Sequence, residues 1–452
     1  MGEGGLDGRL VSAVRAGDAE AVRALLEQGA DPEAVDAHGL PVLCVAAAAY
    51  DAPVAEALVT SGADPDRLLP EGDTPLRRAV DGGSPAVVSA LLGEDPLKRL
   101  SEAARAGLLA LARGWHETGA VEELRRRSGA PGPAGIVRVQ DDEYNWVEQV
   151  SLGGLVVRAG HGAVLTSLEW AFRILPPVDE LIDRAVRRPD ENHVGWSTGR
   201  HVLCGRHSPE AWAAVLAHRH HPDPAHRSFA ADYLAGRTLF SSGSGSDYYA
   251  KKAGPILAAW ATEETDGEVL ARVLYVFSHH DHPGQEAIAL RHAGHPHPRV
   301  RRRASDILCG QDAPHPPAVR TALLTLARDP DPDVCVSACE VVAQWGDLAP
   351  EIAQALFALV QGPDAGFRAD AAGVLAASRD RTAAVADALA ALLDDADLRV
   401  RLAAASGLAR RDDPRTEEAI ERVGPLGPDF EYDRHAEALW RWKWHKEDSN
   451  AG

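Results

Sequence analysis

The sequence is poor in sulfur, aromatics and lysine. One Met and five Cys occur in 452 residues, aromatic residues make up 5%, and only 5 of the 47 basic residues are Lys. An odd number of scattered cysteines excludes a disulfide framework and suits a reducing compartment, so the expected location is cytoplasmic. With so few aromatics the core must come from Leu, Val and the 80 Ala, whose small side chains let helices approach closely. No stretch approaches the 18 or so uninterrupted apolar residues of a membrane span. The opening Met1-Gly2-Glu3-Gly4-Gly5-Leu6 has neither the basic nor the apolar region of a signal peptide. Positive charge is scarce as well. Against 67 Asp and Glu the chain sets 47 Lys and Arg, a net charge of -20, with -8 in residues 1–130 and -7 in residues 191–427. No segment is basic enough to track phosphates, so nucleic acid is excluded as the main partner, and no membrane partner is expected. The Arg and Ala enrichment points to a GC-rich, bacterial genome.

What the chain does have is period. Leu10, Leu43, Leu76 and Leu109 are 33 residues apart, as are Ala13, Ala46, Ala79 and Ala112, and Leu25, Leu58, Leu91 and Leu124. Gly29-Ala30-Asp31-Pro32 recurs as Gly62-Ala63-Asp64-Pro65, and Pro41-Val42-Leu43 as Thr74-Pro75-Leu76. Thr before Pro starts a helix, the hydroxyl accepting a free amide and the ring fitting the first turn. Gly ends one by turning left-handed. This stretch resembles the ankyrin repeat, whose unit is a β-turn and two antiparallel helices. The expectation is four units over 1–130, the third losing its Gly-Ala-Asp to Gly93-Glu94-Asp95 and the last degenerate.

From residue 191 to 427 a second pattern takes over. Around Arg227, Leu270, Arg301, Cys335, Arg368 and Arg401 the spacing runs 43, 31, 34, 33 and 33. Four residues earlier stand Asp223, Asp266, His297, Asp331, Asp364 and Asp397, and apolar residues recur at -1, +3 and +7. That is one stripe down a helix whose start an acid caps, with His297 substituting once. Each unit reads helix, Asp/Pro turn, helix, and resembles HEAT repeats of the PBS-lyase HEAT-like type, about six units. The long first interval holds a Ser/Gly loop at 241–246. Residues 428–452 are expected to form a capping helix and tail. The joint at 131–190 fits neither repeat: 136–140 and 155–158 read as strands, 168–174 and 178–187 as helices. The fold class is therefore mainly α, two α-solenoids (ankyrin, then HEAT-like) joined by a small mixed segment.

Chemistry is thinly signalled. Histidines cluster at His218, His220, His221 and His226, at His279, His280 and His282, and at His292, His295 and His297; His201, Cys204 and His207 have His-x2-Cys-x2-His spacing. Imidazole and thiolate ligate transition metals, which makes a metal-dependent enzyme or metal sensor the alternative reading, but no second ligand pair at zinc spacing accompanies them. The main reading of these histidines is therefore as capping or solvated groups. Cys335 and Cys339 lie four apart on one helix, with Cys309 a unit earlier, and read as small core residues. No phosphate loop, dinucleotide fingerprint or nucleophile elbow is present. Neither cofactor nor catalytic residue is expected.

A solenoid offers an extended surface rather than a closed, dry pocket, and such surfaces hold protein segments. The expected function is a non-catalytic scaffold or adaptor binding partner proteins. The ankyrin resemblance implies contacts at hairpin tips, hence Asp36, His38, Leu69, Glu71 and Asp73. In the second array, Arg299, Arg302 and Arg303 flank Arg301 at an exposed helix start and could hold an anionic group. Trp440, Trp442 and Trp444 sit on the last helix; two rings sharing a face are expected to seal the array, leaving Trp442 as a partner anchor.

Overall fold

The computed structural model describes residues 5–238, 246–310, 315–345 and 349–451. Most of the loop expected at 241–246 thus lies outside the described residues. The chain divides into two compact units, Met1–Ser241 and Ser242–Gly452.

The first unit opens with helix pairs α1 (Leu6–Ala16) and α2 (Ala19–Glu27), α3 (Val42–Ala49) and α4 (Ala52–Thr60), and α5 (Pro75–Gly82) and α6 (Pro85–Leu92). A short turn of helix, α7 (Pro96–Arg99), leads to α8 (Glu102–Thr118) and α9 (Ala120–Ser128). Caps set these starts: Asp18, Asp51, Thr74 and Ser84 accept the amides of Ala21, Val54, Arg77 and Val87. Leu10, Leu43, Leu58, Leu76, Leu91 and Leu124, which recur at the 33-residue period, are all buried. Gly29 and Gly62 take φ of 93° and 104° after the second helices, the left-handed turn that their column requires.

Next come strands β1 (Gly135–Gln140), β2 (Trp146–Leu152) and β3 (Leu155–Arg158), an antiparallel meander in the order β1-β2-β3. The outer strands match the expected segments, whereas β2 went unread. Val150, Leu152 and Val157 pack on Trp115 and Leu124, so the sheet leans on α8 and α9. Then follow α10 (His161–Ala171), α11 (Val178–Val186), α12 (Val194–Gly205), α13 (Pro209–Ala217) and α14 (Pro224–Thr238). Helix α10 starts seven residues before the expected 168, because Gly160 ahead of it supplies no side-chain cap to betray the start. Its Val164, Leu165 and Leu168 join the same core as the ankyrin leucines. This segment is part of the packed unit, not a free linker.

Two glycines make that junction possible. The Gly160 amide donates to the Gly83 carbonyl at 3.1 Å, and a Cβ on Gly83 would lie 2.1 Å from the Arg158 carbonyl oxygen, at a φ of 75°. Gly83→Ala should therefore lower the unfolding free energy of this unit by about 3 kcal/mol, read as a lower urea midpoint.

The second unit holds α15 (Ser246–Glu263), α16 (Gly267–Ser278), α17 (Gln285–His292), α18 (Pro298–Cys309), α19 (Pro317–Leu326) and α20 (Pro332–Val342). It continues with α21 (Pro350–Leu359), α22 (Ala365–Ala377), α23 (Ala383–Ala391), α24 (Leu398–Ala409), α25 (Thr416–Val423) and α26 (Arg434–Ala451). Asp266, Asp331, Asp364 and Asp397 cap α16, α20, α22 and α24 as their spacing predicts. His297 does not cap α18: its Nδ1 is buried without a partner, while Nε2 lies 3.4 Å from Glu268. The arginine column is a ladder. Arg301 grips Asp329 through two bonds of 2.7 Å and Arg368 grips Asp395 at 2.8 and 3.0 Å, each also donating to two carbonyls of its own turn.

Candidate protein-binding groove

A groove of about 1110 Å³ lies in the first unit, bordered by α4, α6, the 141–145 turn, α10 and α12. Carboxylates ring it: Glu56 from α4, Glu94 after α6, and Asp141, Asp142 and Glu143 from the β1–β2 turn. Hydroxyls of Thr60, Ser89, Ser167, Ser197 and Thr198 fill much of the remainder, and His201 is the lone basic group on the wall. Glu56, Glu94, Asp142 and Glu143 are exposed, and none of the four has a cationic partner among the described residues.

The acidic wall is held by one buried carboxylate. The Asp141 side chain is fully buried; Oδ1 accepts from Ser84 Oγ at 2.6 Å and Arg158 Nη1 at 2.7 Å, while Oδ2 accepts from the Ala86 amide at 2.9 Å. Asp141 therefore serves as a second cap on α6 and neutralises Arg158. Its neighbour Asp142 closes the turn, Oδ1 accepting from the amides of Tyr144 and Asn145 at 2.8 and 2.7 Å. The sequence reading missed this groove entirely. Its only local mark was the break at Gly93-Glu94-Asp95, where the column lapses and Glu94 comes out on the groove.

The residues singled out from sequence lie elsewhere. Asp36 serves its own hairpin: Oδ1 accepts from the amides of His38 and Leu40 at 2.8 and 3.0 Å, Oδ2 pairs with Arg15 at 3.0 Å, and the amide bonds hold its carboxyl below the usual range. His38 is exposed at that tip. Leu69 is only 4% exposed, so it is a core residue and offers a partner nothing; Leu68 beside it is 73% exposed. Glu71 pairs with Arg78, and Asp73 lies 3.4 Å from Arg77. In the second unit Arg299 pairs with Glu268 at 2.8 Å and Arg303 with Asp306 at 3.1 Å, and Arg302 lies 3.6 Å from Asp306. Two carboxylates, Glu268 and Asp306, thus offset much of the charge of these three arginines. The tryptophans are reversed: Trp440 and Trp444 are 40% and 66% exposed, while Trp442 is half-buried under Lys446. The helix turns Ala436 and Leu439 inward, and Trp442 follows three residues on along that stripe.

Among the described residues no three His, Cys, Asp or Glu side chains are grouped so as to hold a metal ion. The His218 and His226 rings face each other, Nδ1 to Nδ1 at 3.2 Å, with His218 Nε2 3.0 Å from Asp179. Burial pushes the Cys204 thiol up to about 12, and His207 Nδ1 lies 3.0 Å from Arg237 Nη1. Cys335 and Cys339 are buried with both thiols on the Ala327 carbonyl, at 3.1 and 3.6 Å, and Cys309 is half-buried with its thiol on the Ser337 carbonyl.

Helix pairs stacked at a 33-residue period define a repeat protein. Residues 10–99 are ankyrin repeats, matched by the family model described as ankyrin repeats, three copies. The crystal structure of the Escherichia coli protein YibA is similar at a TM-score of 0.43 and 16% identity, over 59% of this chain and 93% of that one. No curated protein matches the sequence. Ankyrin repeats are protein–protein interaction modules, and no helix among the described residues is long and apolar enough to cross a membrane.

Proposed function

We propose that this chain is a cytosolic, non-catalytic adaptor whose first unit binds a basic segment of a partner protein in the acidic groove. The observation that carries this reading is the set of carboxylates without a cationic partner among the described residues, Glu56, Glu94 and Glu143, around a groove large enough for several residues of extended chain. Lys or Arg side chains entering it would meet carboxylates without first breaking resident ion pairs, and the hydroxyls would serve the peptide backbone. Hairpin-tip residues such as His38, Glu71 and Asp73 would add contacts at the rim of the ankyrin array. The second unit, read as HEAT-like, would add a further binding face. All five cysteines are free, in keeping with a reducing compartment.

Fluorescence anisotropy with a labelled peptide of alternating Arg and Gly tests the groove. Binding should weaken about tenfold between about 50 and 200 mM salt, because the contacts are screened. Glu56→Lys with Glu94→Lys should reduce it at least tenfold at low salt while leaving the melting temperature in place, since both side chains are exposed. Affinity unchanged by the double charge reversal would refute this site.

A further inference from the structure

Beyond the groove, the same unit holds a second depression of different chemistry. A cavity of about 620 Å³ lies between Trp170 of α10, the 173–178 segment, and α13. Its wall is largely apolar: Trp170, Leu175, Pro176, Val178, Ala211 and Ala214. Leu175 is 64% exposed and the adjacent Ile174 43%, an unusual display of aliphatic surface. Arg206, which follows α12, also lines this cavity. One guanidinium nitrogen, Nη1, donates to the Pro176 carbonyl at 2.7 Å. The other two, Nε and Nη2, are buried with no acceptor at all. Other buried guanidinium groups of this unit, such as Arg158 and Arg184, face carboxylates at 2.7 and 2.6 Å. Among the described residues Arg206 has none within ion-pair distance. Burial accordingly pulls its pKa down, with Glu169 offsetting only part of the effect.

An unpaired buried guanidinium costs stability unless something supplies oxygen acceptors. Here the acceptor must arrive with an apolar group, because apolar side chains make most of the wall. The amino end of α13, beginning after its cap Ser208, adds a positive helix terminus to the same wall. Of the two carboxylates on the rim, Asp179 is already bonded to His218 and Glu210 is exposed to solvent. We infer that this cavity takes the apolar C-terminal residue of a partner polypeptide, with its α-carboxylate held by Arg206.

A peptide fits better than a free amphiphile because of what adjoins the cavity. Trp170 and Arg173 are shared with a smaller depression of about 370 Å³, which in turn shares Ser167, Thr198 and His201 with the acidic groove. A chain whose basic residues lie along Glu94 and Glu143 can therefore run on and end at Arg206. This inference rests on the protein-binding reading above and deepens it: the ligand is a polypeptide with a basic stretch and a free, apolar C-terminal end. Capture of a terminal carboxylate by positive groups in a pocket is a known mode of peptide recognition. The cavity also falls in the size range, roughly 300–1,000 Å³, of sites that enclose a ligand.

The test uses the full chain and the peptide Gly-Ser-Gly-Val-Leu in titration calorimetry, once with a free C-terminus and once amidated. With its N-terminus acetylated and no basic residue, this probe carries no cation and does not report on the acidic groove. The free acid should bind saturably and the amide at least tenfold more weakly. Arg206→Gln should erase the difference between them. Because that change also removes the bond to Pro176, a second variant, Ala214→Trp, fills the cavity and leaves Arg206 intact; it too should abolish binding while the Arg/Gly peptide still binds the groove. Equal affinity for acid and amide, no saturable binding of either, or binding unchanged in Ala214→Trp each overturns the inference. So does saturable binding of decanoate with none of the peptide, which would make the ligand a small acid. Loss of the Arg/Gly peptide's binding in the wild-type chain would instead count against the groove.

Discussion

Asp141→Ala should destabilise the first unit by about 3–5 kcal/mol, the cost of removing one partner from a buried charge pair. Three groups lose their acceptor together. Arg158, whose side chain is 10% exposed, would keep its charge with no carboxylate, and the Ser84 hydroxyl and Ala86 amide would lose bonds of 2.6 and 2.9 Å. The damage should be local as well as global. Hydrogen exchange should rise first at the start of α6 and through residues 141–158, since these are what the carboxylate ties together. Asp141→Asn keeps an acceptor oxygen but not the charge and should fall between the two. Binding of the Arg/Gly peptide should fall in Asp141→Ala even under conditions where the unit remains folded, because the turn carrying Asp142 and Glu143 loses its anchor. A loss below about 1 kcal/mol, or exchange unchanged at α6, would mean that Asp141 is only a bystander.

Much of the fold could be read in the sequence because repeats speak through columns. The 33-residue leucines mark buried faces, Thr74-Pro75 marks a helix start, and Asp331, Asp364 and Asp397 mark caps; each signal is local and recurs. Where the recurrence fails, so did the reading. His297 occupies the cap column, but its ring accepts no α18 amide and its Nε2 points instead to Glu268. Leu69 lies at a hairpin tip, where exposure is the default, yet its side chain folds inward. The tryptophan register depended on which face of α26 meets the array, and the spacing of three Trp residues does not state that; Ala436 and Leu439 decide it. The groove was out of reach for a different reason. It joins α4 and α6 to a turn some 50 residues later and to α12 beyond that, and no local pattern announces a contact of that range. Asp141-Asp142-Glu143 looks like an ordinary polar turn until Ser84 and Ala86 are seen beneath it.

Acidification should open the first unit well before ordinary carboxylates titrate. His161 is fully enclosed: its ring stacks on Trp115 at 4.5 Å between centroids and 6° between planes, and Nε2 donates to the Asp81 carbonyl at 3.1 Å. Burial pulls its pKa from 6.5 to about 4, and Arg127 and His116 oppose a further positive charge nearby. His116, mostly buried and flanked by Arg187 and Arg184, is likewise held at about 4. The direction of the effect follows from proton counting. Below pH 6.5 the unfolded chain takes up protons that the folded unit refuses, so stability is full above that pH and is lost as pH falls toward 4. For His161 alone the loss amounts to about 3 kcal/mol, and His116 adds to it. Glu123 and Glu148, held at about 2 by their arginine and histidine partners, extend the loss to lower pH through the window between 4.5 and 2. Hydrogen exchange of peptides from α5, α8 and α10 at pH 7.5, 6.0 and 4.5, corrected for intrinsic rates, should show protection falling steadily across that range. His161→Gln can keep a bond to the Asp81 carbonyl but cannot take up a proton. It should start from lower protection at pH 7.5, because the stack on Trp115 is gone, and should then lose only about half as much on acidification, since His116 still refuses its proton. If the variant and the wild-type chain lost protection in parallel, the acid sensitivity would have to come from another group.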